Sequence, residues 1–335
     1  DNIKLNSDYY DFIVIDEVHH VSADSYRKFI NHFSPTILLG LTATPERHDG
    51  KSILADFEGV IAAELRLPEA INLRHLCPFQ YFGIDDNTDL SQIKWENGRY
   101  NPSELTQLYT QNDQRVQKIL QNIEELVTKP LEMRALAFCV NQDHAQYMAE
   151  KFCLNGIPSG VLTSKNTSER HAVRQELQLG NINILCVVDI FNEGVDIPEI
   201  DTLLFLRPTE SLTIFLQQLG RGLRHSDGKE CVTVLDFVGN AKAEYDFSQK
   251  FRALIGKTHT AISKEIEHGF PHLPLGWHIE LQKKTKEIIL TNIKRAILNQ
   301  QKLKLHIQNF QNHTDQQLTL ANFLGFNPNI QLNDI

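Results

Sequence analysis

Short apolar runs alternate along this chain with longer stretches in which apolar residues recur every three or four positions, and in the middle of the chain the alternation repeats at close spacing. That pattern predicts buried strands joined by amphipathic helices, the arrangement of a parallel α/β sheet. "RALAFCV" (134–140) is a strand by its unbroken apolar run. "QDHAQYMAEKFCLNG" follows, with Ala145, Met148, Ala149 and Phe152 on one helical face and Gly156 placed to end the helix. A strand around Val161 and Leu162 comes next, then a helix capped at Ser168, running to Leu179 and terminated by Gly180. "INILCVV" (182–188) and "TLLFL" (202–206) are further buried strands, and after a helix over 211–224 "CVTVLDF" (231–237) closes the sheet. Residues 131–240 thus read as one complete domain. Upstream, Phe12–Ile15 and 36–41 are two strands with an amphipathic stretch between them, the back half of another sheet domain over 1–75. The segment 76–130 is polar and then helical ("SELTQLYTQNDQRVQKILQNIEELV"), which suits a connector or an insertion. Residues 241–335 form a mainly helical extension, interrupted by the loop "GFPHLPLGW" (269–277).

A length of 335 residues agrees with two domains, or two and a fraction. With 41% hydrophobic and 22% charged residues, the composition fits neither a disordered tail nor a membrane protein. No apolar run reaches the roughly 18 residues of a membrane span. The start "DNIKLNSDYYDF" has neither the basic head nor the apolar core of a signal peptide, so a cytoplasmic chain is expected. Cys77, Cys139, Cys153, Cys186 and Cys231 are far apart with no C-x-x-C pairing, which reads as buried thiols rather than zinc ligands or disulfides. The net charge of −9 argues against a uniformly basic coat and leaves room for a local basic groove. One candidate lies at 277–306, where Lys283, Lys284, Lys286, Lys294, Arg295, Lys302 and Lys304 face only Glu280 and Glu287, with Ile288, Ile289, Ile293, Ile297 and Leu298 as an opposite apolar stripe. A helix docked on the second domain with a basic face toward nucleic acid, or a plain solvated face, would both read this way.

Four stretches carry chemistry. "FIVIDEVHH" (12–20) ends an apolar strand in Asp16 and Glu17, at the edge where open α/β sheets bind ligands. An acid pair there can hold Mg²⁺ and activate water for phosphoryl transfer, although a solvated strand end has the same look. His19 and His20 lack a third ligand at zinc spacing. "LLGLTATPER" (38–47) runs a strand into Thr42 and Thr44, hydroxyls flanking a small residue, or simply into a turn. "VVDIFNEGVDIPEID" (187–201) is again a strand ending in acids, with Gly194 allowing close backbone approach and Asp196 placed to accept a hydrogen bond. "QQLGRGLR" (217–224) lies on a helix whose buried face is Leu212, Phe215, Leu216, Leu219 and Leu223, so Arg221 and Arg224 project together from the other side. Two guanidinium forks at that spacing suit a polyphosphate. The "GKS" at 50–52 is no phosphate loop: the position that needs the first glycine holds Pro45, and no other stretch fits G-x-x-x-x-G-K-[ST].

In order and spacing, these stretches resemble the superfamily 2 helicases and translocases. "DEVH" is similar to motif II of the DExH group, "TATP" to motif III, "ALAFCVNQDHAQYMAEKF" to motif IV, "VVDIFNEGVDIP" to motif V and "QQLGRGLR" to motif VI, the Q-x-x-G-R-x-x-R pattern. The resemblance covers about residues 8 to 240. It is nearest to bacterial helicases related to restriction-enzyme motor subunits and the XPB-like group, some of which carry an upstream nuclease domain. It implies RecA-like parallel sheets, a partial first domain and a complete second one, with ATP and Mg²⁺ as cofactors and nucleic acid, DNA in particular, as partner. Asp16 would hold the magnesium and Glu17 would activate water, with His19 linking the nucleotide site to Thr42, Thr44 and Gln217. Arg221 and Arg224 would be arginine fingers acting on the γ-phosphate. Gly194 and Asp196 would lie near the nucleotide, and Asp189 and Thr163 on the nucleic-acid strand. Val188 departs from the pattern, since that motif V position is often Thr. With the phosphate loop missing, this stretch alone is expected not to turn over ATP. The alternative is a catalytically dead module kept for binding nucleic acid or a partner.

Overall fold

The computed structural model describes residues 5–18, 24–42, 54–96, 98–162, 170–188, 197–209, 211–242, 245, 247–256, 258, 260–274, 276–295, 300–328 and 330. The chain divides into two compact units, residues 1–65 with 298–312 and residues 66–297 with 313–335.

In the first unit β1 (Phe12–Ile15) and β2 (Ile37–Gly40) pair in parallel, Phe12 opposite Ile37 and Ile15 opposite Gly40, with α1 (Asp24–His32) as the crossover. Ile13, Ile15, Val18 and Phe33 form its core, with Phe29, Ile30, Leu38 and Phe57 packed around them. Every side chain of β1 is apolar, yet only alternate ones are buried: Phe12 is 66% and Val14 60% exposed. Strands of parallel sheets are apolar on both faces because helices cover both; here the described residues cover one. A 3₁₀ turn (Leu54–Phe57) brings Phe57 against Gly40, where an added Cβ would stand 2.7 Å from the ring.

The second unit is built on seven parallel strands. In chain order the unit starts with α2 (Leu67–Asn72) and β3 (Phe79–Asp89), then the short antiparallel pair β4 (Trp95–Glu96) and β5 (Arg99–Tyr100), and the helices α3 (Pro102–Thr110) and α4 (Asp113–Leu126). The alternation foreseen from the sequence follows: β6 (Ala135–Phe138), α5 (Gln142–Leu154), β7 (Ser159–Leu162), α6 (Arg170–Leu179), β8 (Ile184–Val187), β9 (Thr202–Phe205), α7 (Leu212–Gly222) and β10 (Val232–Asn240). The C-terminal part adds α8 (Phe247–Ile255), α9 (Ile262–Glu267), β11 (His278–Leu281) and α10 (Lys283–Arg295); α11 (Gln300–His313) falls in the first unit up to Asn312, and α12 (Leu320–Phe326) returns to the second. The sheet order is β11-β3-β10-β9-β6-β8-β7. Gly156 and Gly180 end α5 and α6 at φ 79° and 77°, where a Cβ would be strained.

Two differences from the sequence reading matter. Residues 79–89, expected within a connector, form the longest strand of the sheet, between β10 and β11, with Tyr81 opposite Val234. Two of their three acids are buried, each with a cation: the Arg115 Nε of α4 lies 2.8 Å from Asp86, and Lys284 of α10 lies 2.8 Å from Asp85. The stretch 277–306 is also not one helix: β11 takes its start as an edge strand, and α10 follows. Gly83 is what lets β11 close up, since a Cβ there would meet Leu281 at 2.4 Å.

The core lies on both faces of this sheet. Leu136, Phe138, Leu203, Phe205, Phe215 and Leu219 pack on one, and Ala137, Met148, Phe152, Leu204 and Phe237 on the other. Charges are buried within it. Lys250 of α8 and Tyr81 both donate to the Asp236 carboxylate, and Lys250 also lies over the Phe215 ring. Arg252 donates to Thr258 and stacks on Phe326 of α12, and burial pulls its pKa down to about 10. Of the five cysteines, Cys77, Cys139 and Cys186 are buried as expected; Cys153 is exposed and Cys231 half-buried, and all are free thiols. No described helix is long and apolar enough to cross a membrane.

Candidate functional site

At the end of β1 the parallel pairing continues beyond the strands: Leu41 N–H donates to Ile15 O at 2.8 Å, and Val18 N–H donates back to Leu41 O at 2.9 Å. Asp16–Glu17 and Thr42 are therefore neighbours at one sheet edge, the C-terminal edge. Between them the chain makes a tight turn. Asp16 Oδ1 accepts the Glu17 N–H at 2.9 Å, and Glu17 sits at φ 49°, a conformation costly for a side chain other than glycine. Val18, 1% exposed, anchors the turn in the core. The Asp16 side chain is exposed and that of Glu17 half-buried. His19 and Thr44 lie outside the described residues. The backbone pairing thus sets at one edge Asp16, Glu17 and Thr42, residues that the family resemblance had grouped.

Carboxylate oxygen at this edge fits Mg²⁺, which takes one or two protein carboxylates and completes its shell with phosphate and water. Among the described residues no cluster of three or more His, Cys, Asp or Glu could hold a metal by itself.

In the second unit, α7 starts at Ser211, whose Oγ accepts the Ile214 N–H. Phe215, Gln218, Leu219, Gly222 and Leu223 are buried, while Gln217, Gly220 and Arg221 are half-buried and Arg224 is exposed. The helix is split into a packed face and a face bearing Gln217 and Arg221, as expected; it ends at Gly222, short of the expected 224, so Arg224 lies beyond its C-cap Leu223. Gly222 belongs to the packed face: a Cβ there would stand 3.0 Å from both Leu203 and Val232. At Gly220, on the other face, no described atom lies within 4 Å of that position.

The segment after α7 is tied down at both ends. Leu223 O accepts the Cys77 N–H at 2.7 Å, and the His225 Nε2 lies 3.0 Å from Arg74 O. A turn follows, closed by Lys229 N–H on Ser226 O, with Gly228 at φ 77°. It sends the Lys229 side chain back to the helix end, where Nζ donates to Gly222 O and Arg224 O at 2.6 Å each and to Pro198 O at 2.9 Å. Pro198 belongs to the turn leading out of motif V, which is itself fixed by the buried Ile197 and Ile200. The sequence reading passed over Lys229; its signal was the "SDGK" turn directly after the helix. Thr163, Asp189, Gly194 and Asp196 lie outside the described residues.

At the end of β6, Asn141 caps α5 by accepting the His144 N–H, and His144 Nδ1 accepts the Val140 N–H. Burial, and then the nearby Arg115 and Arg207 charges, hold the His144 pKa well below the usual histidine value. Of the basic residues at 283–286, Lys284 is engaged with Asp85 and Asn87, and Lys286 donates to Glu267 O. These two do not form the unengaged basic face considered from the sequence.

Residues 1–47 match the model for the res subunit of type III restriction enzymes, and residues 115–226 match that for the helicase conserved C-terminal domain. Over both stretches the chain is similar to superfamily 2 helicases. "Putative ATP-dependent helicase IRC3" of Saccharomyces cerevisiae is 29% identical over 245 residues, covering 70% of this chain and 35% of that protein. The endonuclease subunit of the type I restriction enzyme EcoAI of Escherichia coli is 28% identical over 265 residues, 70% of this chain and 32% of that protein. The chain therefore spans about a third of the length of these relatives. Among solved structures, the ATP-dependent type ISP restriction-modification enzyme LlaBIII bound to DNA has the same fold, with a TM-score of 0.57 and 17% identity over 84% of this chain and 23% of that one. The two family matches take in Asp16, Glu17, Thr42 and the whole of α7. The helicase C-terminal match starts at Arg115, so β3, though part of the same sheet, lies outside it.

Proposed function

We propose that these residues are part of an ATP-dependent helicase or DNA translocase that couples nucleotide hydrolysis to movement on nucleic acid. The observation that carries the reading is the pairing of strand ends that sets Asp16, Glu17 and Thr42 on one edge, in a chain whose other unit carries Gln217 and Arg221 on one helix and Arg224 just beyond its end. A binding module has no use for a strained acid turn or for two guanidiniums turned away from the core. In this reading motif II takes its DExH form. ATP with Mg²⁺ supplies the phosphoryl group, and Asp16 holds the ion. Glu17 orients and deprotonates the attacking water, and Arg221 and Arg224 stabilise charge that develops on the phosphoryl oxygens. His19, Thr44, Gly194 and Asp196 complete the nucleotide contacts, and Thr163 and Asp189 touch the nucleic-acid backbone.

DNA is favoured as the substrate, since the LlaBIII structure is named as bound to DNA and the EcoAI relative is a restriction enzyme subunit. Those names also favour association with a nuclease, and a cytoplasmic setting fits such an enzyme. The apolar face of β1 and β2 that the described residues leave exposed suits further layers of a RecA-like domain that would also carry the phosphate loop. The test is DNA-stimulated ATP hydrolysis by a protein that includes that loop, with and without Glu17→Gln. Turnover lost in the variant supports the reading; equal turnover in both refutes it.

A further inference from the structure

Lys229 is a lysine placed where helices lack partners. The last carbonyls of an α-helix have no N–H to accept from, and the helix dipole makes that end attractive to a cation. At the end of α7 an ammonium group meets one such carbonyl, Gly222 O, and the carbonyl of Arg224 just beyond the C-cap, and its third donor goes to Pro198 O. An ammonium has three donors, so the inventory is full. The bonds join two segments that the sequence separates: the turn after residues 189–196, and the helix bearing Arg221 with Arg224 just beyond its end. Gly228 at φ 77° is the hinge that points the side chain back.

We propose that Lys229 is the positioning residue for Arg224 and Arg221, holding the end of the motif VI helix in fixed register with the turn that follows motif V. The assignment rests on the phosphoryl-transfer role given to the two arginines above. Its physical content is geometric. Guanidinium stabilisation of a transferring phosphoryl group depends on placement, and a displacement of about 1 Å can cost on the order of 10²-fold in rate. Without Lys229 the carbonyls of Gly222 and Arg224 turn to water and the last turn of the helix loosens, moving Arg224 most because it lies just beyond the final helical residue.

The surroundings of the ammonium supply a second signature. Burial draws the Lys229 pKa below the ordinary lysine value, and Cys77, Asp201 and Glu199 partly restore it. Cys231 and Glu230 flank the group on its own segment, and burial raises the thiols of both Cys77 and Cys231. An amine that loses its proton keeps only two donors for three carbonyls. Turnover should therefore fall at alkaline pH, as pH rises through the lowered pKa of Lys229. Arginine at this position stays charged and should remove that limb.

The experiment uses the DNA-stimulated ATPase of a protein containing the phosphate loop, with Arg224→Lys as the control for the underlying reading. With the control inactive, Lys229→Met should lower kcat about 10²-fold while KM for ATP and DNA affinity change less than about threefold. Lys229→Arg should restore most of kcat and hold it at alkaline pH. Wild-type kcat in Lys229→Met would overturn the proposal, as would an alkaline limb unchanged in Lys229→Arg. The pH comparison needs only the conservative variant, so it decides the matter even where Lys229→Met does not fold. Full activity of Arg224→Lys would instead refute the finger reading, and the positioning role would fall with it for that separate reason.

Discussion

Asp86 offers the most direct test of whether β3 and α4 belong to the sheet domain or merely lead to it. Its carboxylate and the Arg115 guanidinium are 0% and 1% exposed, with Nε 2.8 Å from Oδ2. Arg115 Nη2 also donates to Leu206 O at 2.9 Å, its guanidinium stacks 3.9 Å from the centre of the Tyr109 ring, and Asp86 Oδ1 accepts the Thr88 N–H. Asp86→Ala removes the carboxylate bonded to this guanidinium and one acceptor of a buried N–H. Breaking a buried ion pair from one side costs about 3–5 kcal/mol, and the orphaned N–H adds about 1 kcal/mol or more. Against the roughly 5–15 kcal/mol that stabilises a domain, the loss is large. Replacing both partners, Asp86→Ala with Arg115→Met, removes the stranded charge and should recover much of it, because a buried pair is worth far less than either half alone is costly. Urea unfolding followed by tryptophan fluorescence is the assay: Trp95 and Trp277 both belong to the second unit, so the signal reports on that unit alone. A cost below about 1 kcal/mol for Asp86→Ala, or a double variant as unstable as the sum of the singles, would refute the claim that this pair ties the strand into the sheet.

The 335-residue chain by itself should hydrolyse ATP at background rate, because no stretch of it fits the phosphate loop; robust turnover abolished by Glu17→Gln would contradict this. In a protein containing the loop, Arg221→Lys and Arg224→Lys should each lower kcat by about 10³-fold or more with little change in nucleotide affinity, measured by steady-state ATPase and nucleotide titration. Leu219→Ala, on the packed face of the same helix at 0% exposure, should leave the arginines in place but cost about 2–5 kcal/mol in urea unfolding. His144, held neutral by burial, has a folded pKa below its unfolded value. Its contribution to stability is then complete above the unfolded pKa of about 6.5 and is lost as pH falls below it, by up to about 1.4 kcal/mol per pH unit. A His144→Asn variant should show a shallower acid slope between pH 7 and 5, and an identical slope would exclude His144 as its source.

Much of this protein was legible in the residues themselves. The strands β6 to β10 are apolar runs, and a run of that kind has nowhere to go but a buried sheet. The faces of α5 and α7 follow from 3.6-residue periodicity, a local property of the helix. The acid pair and the two arginines could be singled out because motif spacing is a fact of sequence. What the sequence did not decide was anything that depends on distant partners. "FQYFGIDDNTD" looks like a polar linker by composition; it becomes the longest strand because Arg115, Lys118 and Lys284, contributed by two helices far apart in the chain, neutralise Asp85 and Asp86. "HIEL" is too short to announce itself and pairs as β11 only because Gly83 leaves space beside β3. Lys229 looks like any surface lysine until a turn folds it onto three carbonyls. In each case the sign of the energy changes with the partner: a buried carboxylate or ammonium is costly alone and tolerated when paired, so its place in the fold is fixed only when the tertiary structure brings the partner to it.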